Sequence, residues 1–271
     1  QTCALPIYNA QEKRNGYTPI KITWEKVPGR DEQWRNETLA SMNFNNEKFE
    51  QEYCVEFLGS SGTLIAGWKL KELVHQIPIN SKDGLTVYAN PEPNHRYVLI
   101  ADVSEGRGLD YSAFHVVDVT KMPYKQSVVY RNNLITPLDY ADVVHRIASF
   151  YNRAPVLVEV NNMGAQVSHS LHYDFEYDNI LMTENAGRNG KKVSTGFGNK
   201  VDMGVRTTIP VKANGCSMLK LLIEQNQLII NDFHTIEELS RFSRKGKSYE
   251  AEEGSHDDLV VGLVLFRWLS E

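Results

Sequence analysis

The sequence predicts an α/β fold, a mixed sheet covered by helices on both faces. Three observations carry that prediction. Apolar, β-branched runs recur at residues 97–103 (YVLIADV), 113–119 (AFHVVDV), 126–132 (QSVVYRN) and 155–160 (PVLVEV). These runs are near-continuous rather than alternating, which marks strands buried on both sides. Helical periodicity takes over between and after them, so strands and helices alternate toward the C-terminus.

The elements follow in order. Residues 1–60 are polar, with a turn at VPGRDEQW (27–34) and a loose helical spacing over 34–57 through Leu39, Met42, Phe49, Tyr53 and Phe57. GSSG (59–62) is a flexible break, and 78–95, with three prolines and several asparagines, reads as a linker or a wandering surface segment. The first three apolar runs are closely spaced and suggest an antiparallel meander. A helical stripe over 139–152 begins at Asp139, after Pro137. The run 155–160 is a fourth strand, 164–173 is helical, and NILM (179–182) is a short strand. AGRNGKKVSTGFGNKVDMG (186–204) reads as loop or hairpin. Helices over 216–226 and 235–245 flank a strand at 228–230, and HDDLVVGLVLFRWLS (256–270) is a strongly apolar helix with acids at its start. This order is compatible with a ribonuclease-H-like domain, although the pattern alone does not single it out.

Composition excludes several classes. The chain has 271 residues, a formal charge of −5, 41% hydrophobic and 23% charged residues. These are globular values, against disordered, collagen-like or coiled-coil readings. A chain of this size buries roughly 75% of its unfolded surface. The longest apolar run, LVVGLVLF, falls well short of the about 20 residues that cross a bilayer. Three scattered cysteines without a CxxC pair argue against a disulfide framework or a thiolate zinc site and favour a reducing compartment. No secretory leader is evident. The mild acidity disfavours a general nucleic-acid coat but leaves room for a local basic groove.

The chemistry lies in the acids. Asp102 ends the first strand, Glu159 interrupts the end of PVLVEV, and Asp257 and Asp258 open the last helix. If the first and fourth strands are parallel neighbours, Asp102 and Glu159 emerge at one sheet edge, and docking the last helix there gathers three or four carboxylates. Like charges at about 4 Å cost roughly 4 kcal/mol per pair at an effective dielectric near 20, so such a cluster needs protons or a cation. Oxygen-only donors select Mg²⁺ or Mn²⁺ over Zn²⁺, and two such ions suit phosphodiester hydrolysis with water as nucleophile. Each acid also has an ordinary explanation. Asp102 suits a turn, and Asp257 and Asp258 suit a helix cap. Glu159 is harder to explain away, because glutamate is depleted in strands and seldom buried unpaired. Asp118 reads as structural, Glu105 and Asp110 as solvated loop acids, and His256 as a cap or packing residue.

Basic residues concentrate at 186–212, where Arg188, Lys191, Lys192 and Lys200 are candidates for holding a phosphate backbone without reading bases; a solvated loop is the plain alternative. Residues 241–247 add four more basic side chains. GRNGKKVS has G-x-x-G-K rather than phosphate-loop spacing, EGRG lacks the dinucleotide fingerprint, and no HExxH, GxSxG or EF-hand pattern occurs.

Four blocks, IADVSEGRGLDYSAFHVVDVT (100–120), VLVEVNNMG (156–164), GCSMLKLLIEQNQLII (215–230) and EAEEGSHDDLVVGLVLFRWL (250–269), resemble the C-terminal nuclease domain of the large terminase subunit of tailed bacteriophages, most like the T-even-type myoviruses. EYCVEFLGSSGTLI (52–65) looks like that family's passage from ATPase into nuclease. The resemblance covers roughly residues 50–271. It implies residues 1–60 as a remnant of the ATPase region, 61–95 as domain entry, and 96–271 as a ribonuclease-H-like nuclease domain. It places the family's metal-binding acids on Asp102, Glu159 and the Asp257–Asp258 pair, with Mg²⁺ or Mn²⁺ as cofactor. It implies an endonuclease that cuts concatemeric double-stranded viral DNA. Its partners would be the terminase ATPase region, the small terminase subunit and the procapsid portal, in the host bacterial cytoplasm and with no membrane. The Walker motifs are lacking, so ATP hydrolysis is not expected of this chain by itself. Two rivals fit the same residues: another ribonuclease-H-like enzyme of resolvase or transposase type, and a non-catalytic module that docks DNA or a portal.

Overall fold

The computed structural model describes residues 22–42, 62–185, 191–194, 201–246 and 248–269, together with 18, 20, 44, 49 and 52–54. The chain divides into two compact units, Gln1–Ser61 and Gly62–Glu271.

The first unit holds a short 3-10 turn, Trp24–Lys26, and helix α1, Glu32–Ser41. Asp31 caps α1 by accepting from the Trp34 N–H, as short acids do at helix starts. Trp24, Trp34, Phe49 and Tyr53 pack ring on ring, with the two indoles stacked at 5.9 Å. The helix expected over 34–57 stops at Ser41. Phe44 adopts φ 56 and its N–H returns to the Leu39 carbonyl, which ends the helical path.

The second unit begins with α2 (Gly67–Glu72), β1 (Asn80–Lys82) and β2 (Leu85–Val87). Residues 80–87, which the composition assigns to a linker, thus form a hairpin. β3 (Tyr97–Asp102), β4 (Ser112–Asp118) and β5 (Tyr124–Asn132) form the meander, followed by α3 (Pro137–Phe150), β6 (Val156–Val158) and α4 (Gly164–His169). Next come β7 (Met182–Asn185), β8 (Lys191–Ser194), β9 (Val201–Met203), α5 (Ile209–Glu224), β10 (Leu228–Ile229) and α6 (Phe233–Arg241). β11 (Phe242–Lys245), β12 (Ser248–Ala251) and α7 (Asp258–Leu269) complete the described unit. The main sheet runs β1-β2-β5-β4-β3-β6, with β10 pairing with β5 as well. β3, β4 and β5 are mutually antiparallel, while β6 lies parallel to β3. β7 is the centre of a second sheet, β8-β7-β9, whose outer strands β8 and β9 lie within the stretch expected as loop or hairpin.

Both faces of the main sheet are covered, as the continuous apolar strands require. Leu99 and Ala101 join one core cluster with Tyr140 and Val144 of α3; Ile100 and Leu157 join the other with Leu219 of α5 and Val260 and Leu263 of α7. This alternation is the two-residue period of a strand. Thr136 caps α3 by accepting from the Asp139 N–H, and Pro137 stands at its first positions. α7 buries nearly every side chain it carries, and each large one contributes roughly 1.5–3 kcal/mol by leaving water. It lies so close to α5 that a Cβ at Gly215 would stand 2.4 Å from the Val264 carbonyl oxygen.

One helix is shorter than its charge pattern suggests. The stripe over 235–245 leads to an expected helix, but α6 ends at Arg241 and Phe242–Lys245 pairs with Ser248–Ala251 as a hairpin. Phe242 is fully buried, and Gly246 at φ 64 supplies the turn. No described helix is long and apolar enough to cross a membrane.

Candidate metal centre

The parallel register of β3 and β6 pairs Leu99 with Val156, Ile100 with Leu157 and Ala101 with Val158. One residue further along, Asp102 and Glu159 stand side by side, and the Glu159 N–H donates to the Ala101 carbonyl at 2.8 Å. Both continue the Ile100 and Leu157 side of the sheet, the side that α7 covers. The two carboxyls share a hydrogen bond. Burial first, then the charge of Glu159 and that shared bond, then the charge of Asp258, hold Asp102 well above the carboxylate range. Three acids far apart in sequence therefore act on one another.

Local geometry fixes Glu159. The Asn161 side-chain amide donates to Glu159 Oε1 at 2.9 Å. The chain then folds back so tightly that a Cβ at Gly164 would lie 1.7 Å from the Glu159 carbonyl oxygen, so only glycine begins α4 there.

The two aspartates of α7 divide their work. Asp258 is 13% exposed, with His256 Nδ1 at 3.8 Å, and accepts the Tyr111 N–H at 3.4 Å. Burial, with Asp257 and Asp110 nearby, pushes its carboxyl up to about 6, against the pull of the Tyr111 N–H and Arg131. Asp257 instead pairs with Lys212 at 3.7 Å, and its carbonyl accepts the Val261 N–H that starts the helix. Of the pair, Asp258 is the one whose charge reaches Asp102.

Among the described residues, no group of three or more His, Cys, Asp or Glu side chains is already arranged to hold a metal ion. What the structure has instead is Asp102 raised by burial and by Glu159 beside it, with Asp258 raised nearby. A proton relieves the repulsion that a cation otherwise relieves, and the donor set is oxygen alone. Its chemistry suits a hard divalent ion.

The stretch enclosing all four acids is also the stretch with known relatives. The terminase RNaseH-like domain family matches residues 99–266. The chain belongs to that family. Its fold is shared with the large terminase nuclease from thermophilic phage G20c, solved with bound magnesium, at a TM-score of 0.57 and 22% identity over 77% of this chain and 97% of that one. The same nuclease with bound cobalt gives a TM-score of 0.57 at 22% identity, again over 77% of this chain and 97% of that one. The Thermus phage P74-26 large terminase nuclease domain gives 0.53 at 22% identity, over 73% and 90%. These likenesses confirm the ribonuclease-H-like fold expected from the sequence.

The remaining candidates of this terminase domain separate clearly. Asp118 accepts from Thr120 at 2.9 Å and contacts His95 Nδ1 at 2.7 Å. Burial raises its carboxyl, but the Thr120 and His95 bonds outweigh that and hold it below the usual range, so it is structural as expected. Glu105 pairs with Arg107 at 3.2 Å. Asp110 does act on Asp258, through its charge. Lys192 is exposed and pairs with Glu184 at 2.9 Å, while Lys191 lies on β8; Arg188 and Lys200 fall outside the described residues.

Sequence reasoning passed over Glu238, Arg131, Tyr111 and Asn161. Glu238 is 5% exposed on α6, lies 3.5 Å from Arg131 Nη2, and is pushed up to about 8, by burial first, with Arg131 opposing and the charge of Asp258 adding to the rise. Arg131 stacks 3.8 Å above the Tyr111 ring. A glutamate inside an apolar α6 stripe was the available signal, but Glu237 beside it makes the segment read as a solvated face.

Proposed function

We propose that this chain is the metal-dependent DNA endonuclease of a phage packaging terminase, cutting concatemeric double-stranded viral DNA by two-metal-ion phosphodiester hydrolysis. The observation that carries this reading is the parallel β3–β6 register, which sets Asp102 beside Glu159, within reach of the charge of Asp258. The magnesium and cobalt of the related G20c nuclease support the choice of a divalent cation.

Asp102, Glu159 and Asp258 would hold Mg²⁺ or Mn²⁺, with Asp257 at the rim, neutralised by Lys212. Bound there, the ions supply the positive charge that makes a water nucleophilic and stabilises the attacking and leaving oxygens. Asn161 keeps Glu159 aimed at the site, and the Tyr111 N–H does so for Asp258. Cation binding would favour the ionised form of Asp102, which burial and Glu159 otherwise disfavour, because the ligating form is the carboxylate. Lys191 and Lys192, with Arg188 and Lys200, are positioned in sequence to hold the phosphate backbone. The duplex, the terminase ATPase region, the small subunit and the portal are the partners this reading implies, and the host cytoplasm its setting.

Supercoiled plasmid incubated with the purified chain and Mn²⁺ should be nicked and linearised, and EDTA should stop it. Asp102→Asn and Glu159→Gln should each lower the rate at least a hundredfold while thermal melting in EDTA stays cooperative. Parental cutting by either variant overturns the assignment.

A further inference from the structure

The start of the helix that carries Asp258 is held by a residue of another helix. The first N–H groups of α7 have no acceptor within the helix. Two of them, on Leu259 and Val260, donate to Glu238 Oε2 on α6 at 2.9 and 3.3 Å. Its other oxygen, Oε1, faces Arg131 Nη2 at 3.5 Å. Arg131 lies over the Tyr111 ring, and the Tyr111 N–H donates to Asp258 Oδ2 at 3.4 Å. Both oxygens of one buried side chain therefore lead to Asp258, one through the helix start and one through Arg131 and Tyr111.

An ordinary cap does not need this arrangement. Asp257 stands where a helix supplies its own cap, but its carboxylate is turned to Lys212. A neutral side chain would satisfy two N–H groups without burying an acid among other acids, and an incompletely compensated buried charge is costly. We propose that Glu238 is a positioning residue for the metal centre: it grips the start of α7 and Tyr111 and thereby sets Asp258 against the Asp102–Glu159 pair. This rests on the reading that those three acids hold the cation.

Calorimetric titration of Mn²⁺ into the purified chain tests it, with melting in EDTA as the control for folding. Glu238→Met keeps the volume but offers no acceptor, and should weaken Mn²⁺ binding about tenfold or more, the usual scale for losing the support of a ligand. Glu238→Gln still presents an oxygen to both N–H groups and should bind Mn²⁺ within about threefold of the parent, the rescue expected of a grip rather than of a charge. Arg131→Met tests the other arm even if Glu238→Met does not fold. Removing a cation near Asp258 would tighten metal binding if charge alone mattered, whereas loss of positioning weakens it. Parental affinity in Glu238→Met, a loss in Glu238→Gln as large as in Glu238→Met, or tighter binding in Arg131→Met overturns the proposal while leaving the nuclease reading intact. A parent chain that binds no Mn²⁺ and nicks no plasmid overturns both.

Discussion

Asp102, Glu159 and the Asp257–Asp258 pair stand out in the sequence as carboxylates set against apolar runs, where burying an acid carries a desolvation cost, although the sequence does not choose between the two aspartates of α7. Glu238, Arg131 and Asn161 do not stand out, because their partners are backbone N–H groups and side chains that no local pattern reveals. A residue-scale prediction follows from the raised acids. Asp258 titrates near 6 in the folded protein against an ordinary 3.8, and Glu238 near 8 against 4.5. Both folded values lie above the unfolded ones, so their contribution is complete below the unfolded values and is lost as pH rises through the folded ones. With metal chelated, unfolding free energies from urea titrations should fall between pH 5 and pH 8, by about 1.4 kcal/mol from Asp258, whose loss is over by roughly pH 6, and by more from Glu238, whose loss runs on to about 8. Asp118, whose lowered carboxyl acts in the opposite sense, does so at more acidic pH, whereas buried His115, lowered by desolvation, offsets part of the fall up to about pH 6.5. Saturating Mn²⁺ should flatten the decline, because a bound cation favours the ionised acids. A stability that rises over that range in EDTA contradicts the raised carboxyls of Asp258 and Glu238.

At the scale of elements, α7 couples core to chemistry. The same helix that fills one core cluster presents Asp258 at its first position. Its seat is built from polar contacts as well: buried His115 bonds the Leu259 carbonyl through Nε2 at 2.8 Å and meets Gln126 at 3.0 Å. Gln126 in turn accepts the Asn231 and Asp232 N–H groups that lead into α6. Gly215→Ala pushes a methyl into the Val264 carbonyl and should cost about 1–3 kcal/mol of stability, as overpacking does; chemical denaturation measures it. If α7 yields by shifting, Mn²⁺ affinity falls as well, so the two readouts together report how tightly core and centre are linked. The central strands were readable from their apolar runs and α3, α5 and α7 from their helical period, but α2 was not. The early end of α6 was not, because Arg241, Arg244 and Lys245 continue a helical charge pattern and only the inward Phe242 and the Gly246 turn decide for a hairpin.

For the whole molecule, continuous apolar strands were enough to foresee a sheet buried on both faces, and the parallel pairing of β3 with β6 was the condition on which the acid cluster depended. The β1–β2 hairpin escaped notice, and the hairpin option left open for 186–204 did not foresee its pairing with β7, since short strands carry little hydrophobic signal and are fixed by what they pair with. Charge is the other global property. At a net −5, attraction to DNA must come from a local surface. Replacing Lys191 and Lys192 by alanine should weaken duplex binding and reduce the slope of log K against log salt by about 0.9 for each phosphate left unneutralised. An unchanged slope in fluorescence-anisotropy titrations returns both lysines to ordinary solvated positions.

The order of synthesis gives α7 a further meaning. A ribosome making this polypeptide emits the strands bearing Asp102 and Glu159 long before residue 258, so a product that stops between them carries two of the three acids. With the cation held as proposed, such an unfinished chain lacks Asp258, and its centre is complete only once the helix that carries Asp258 has docked.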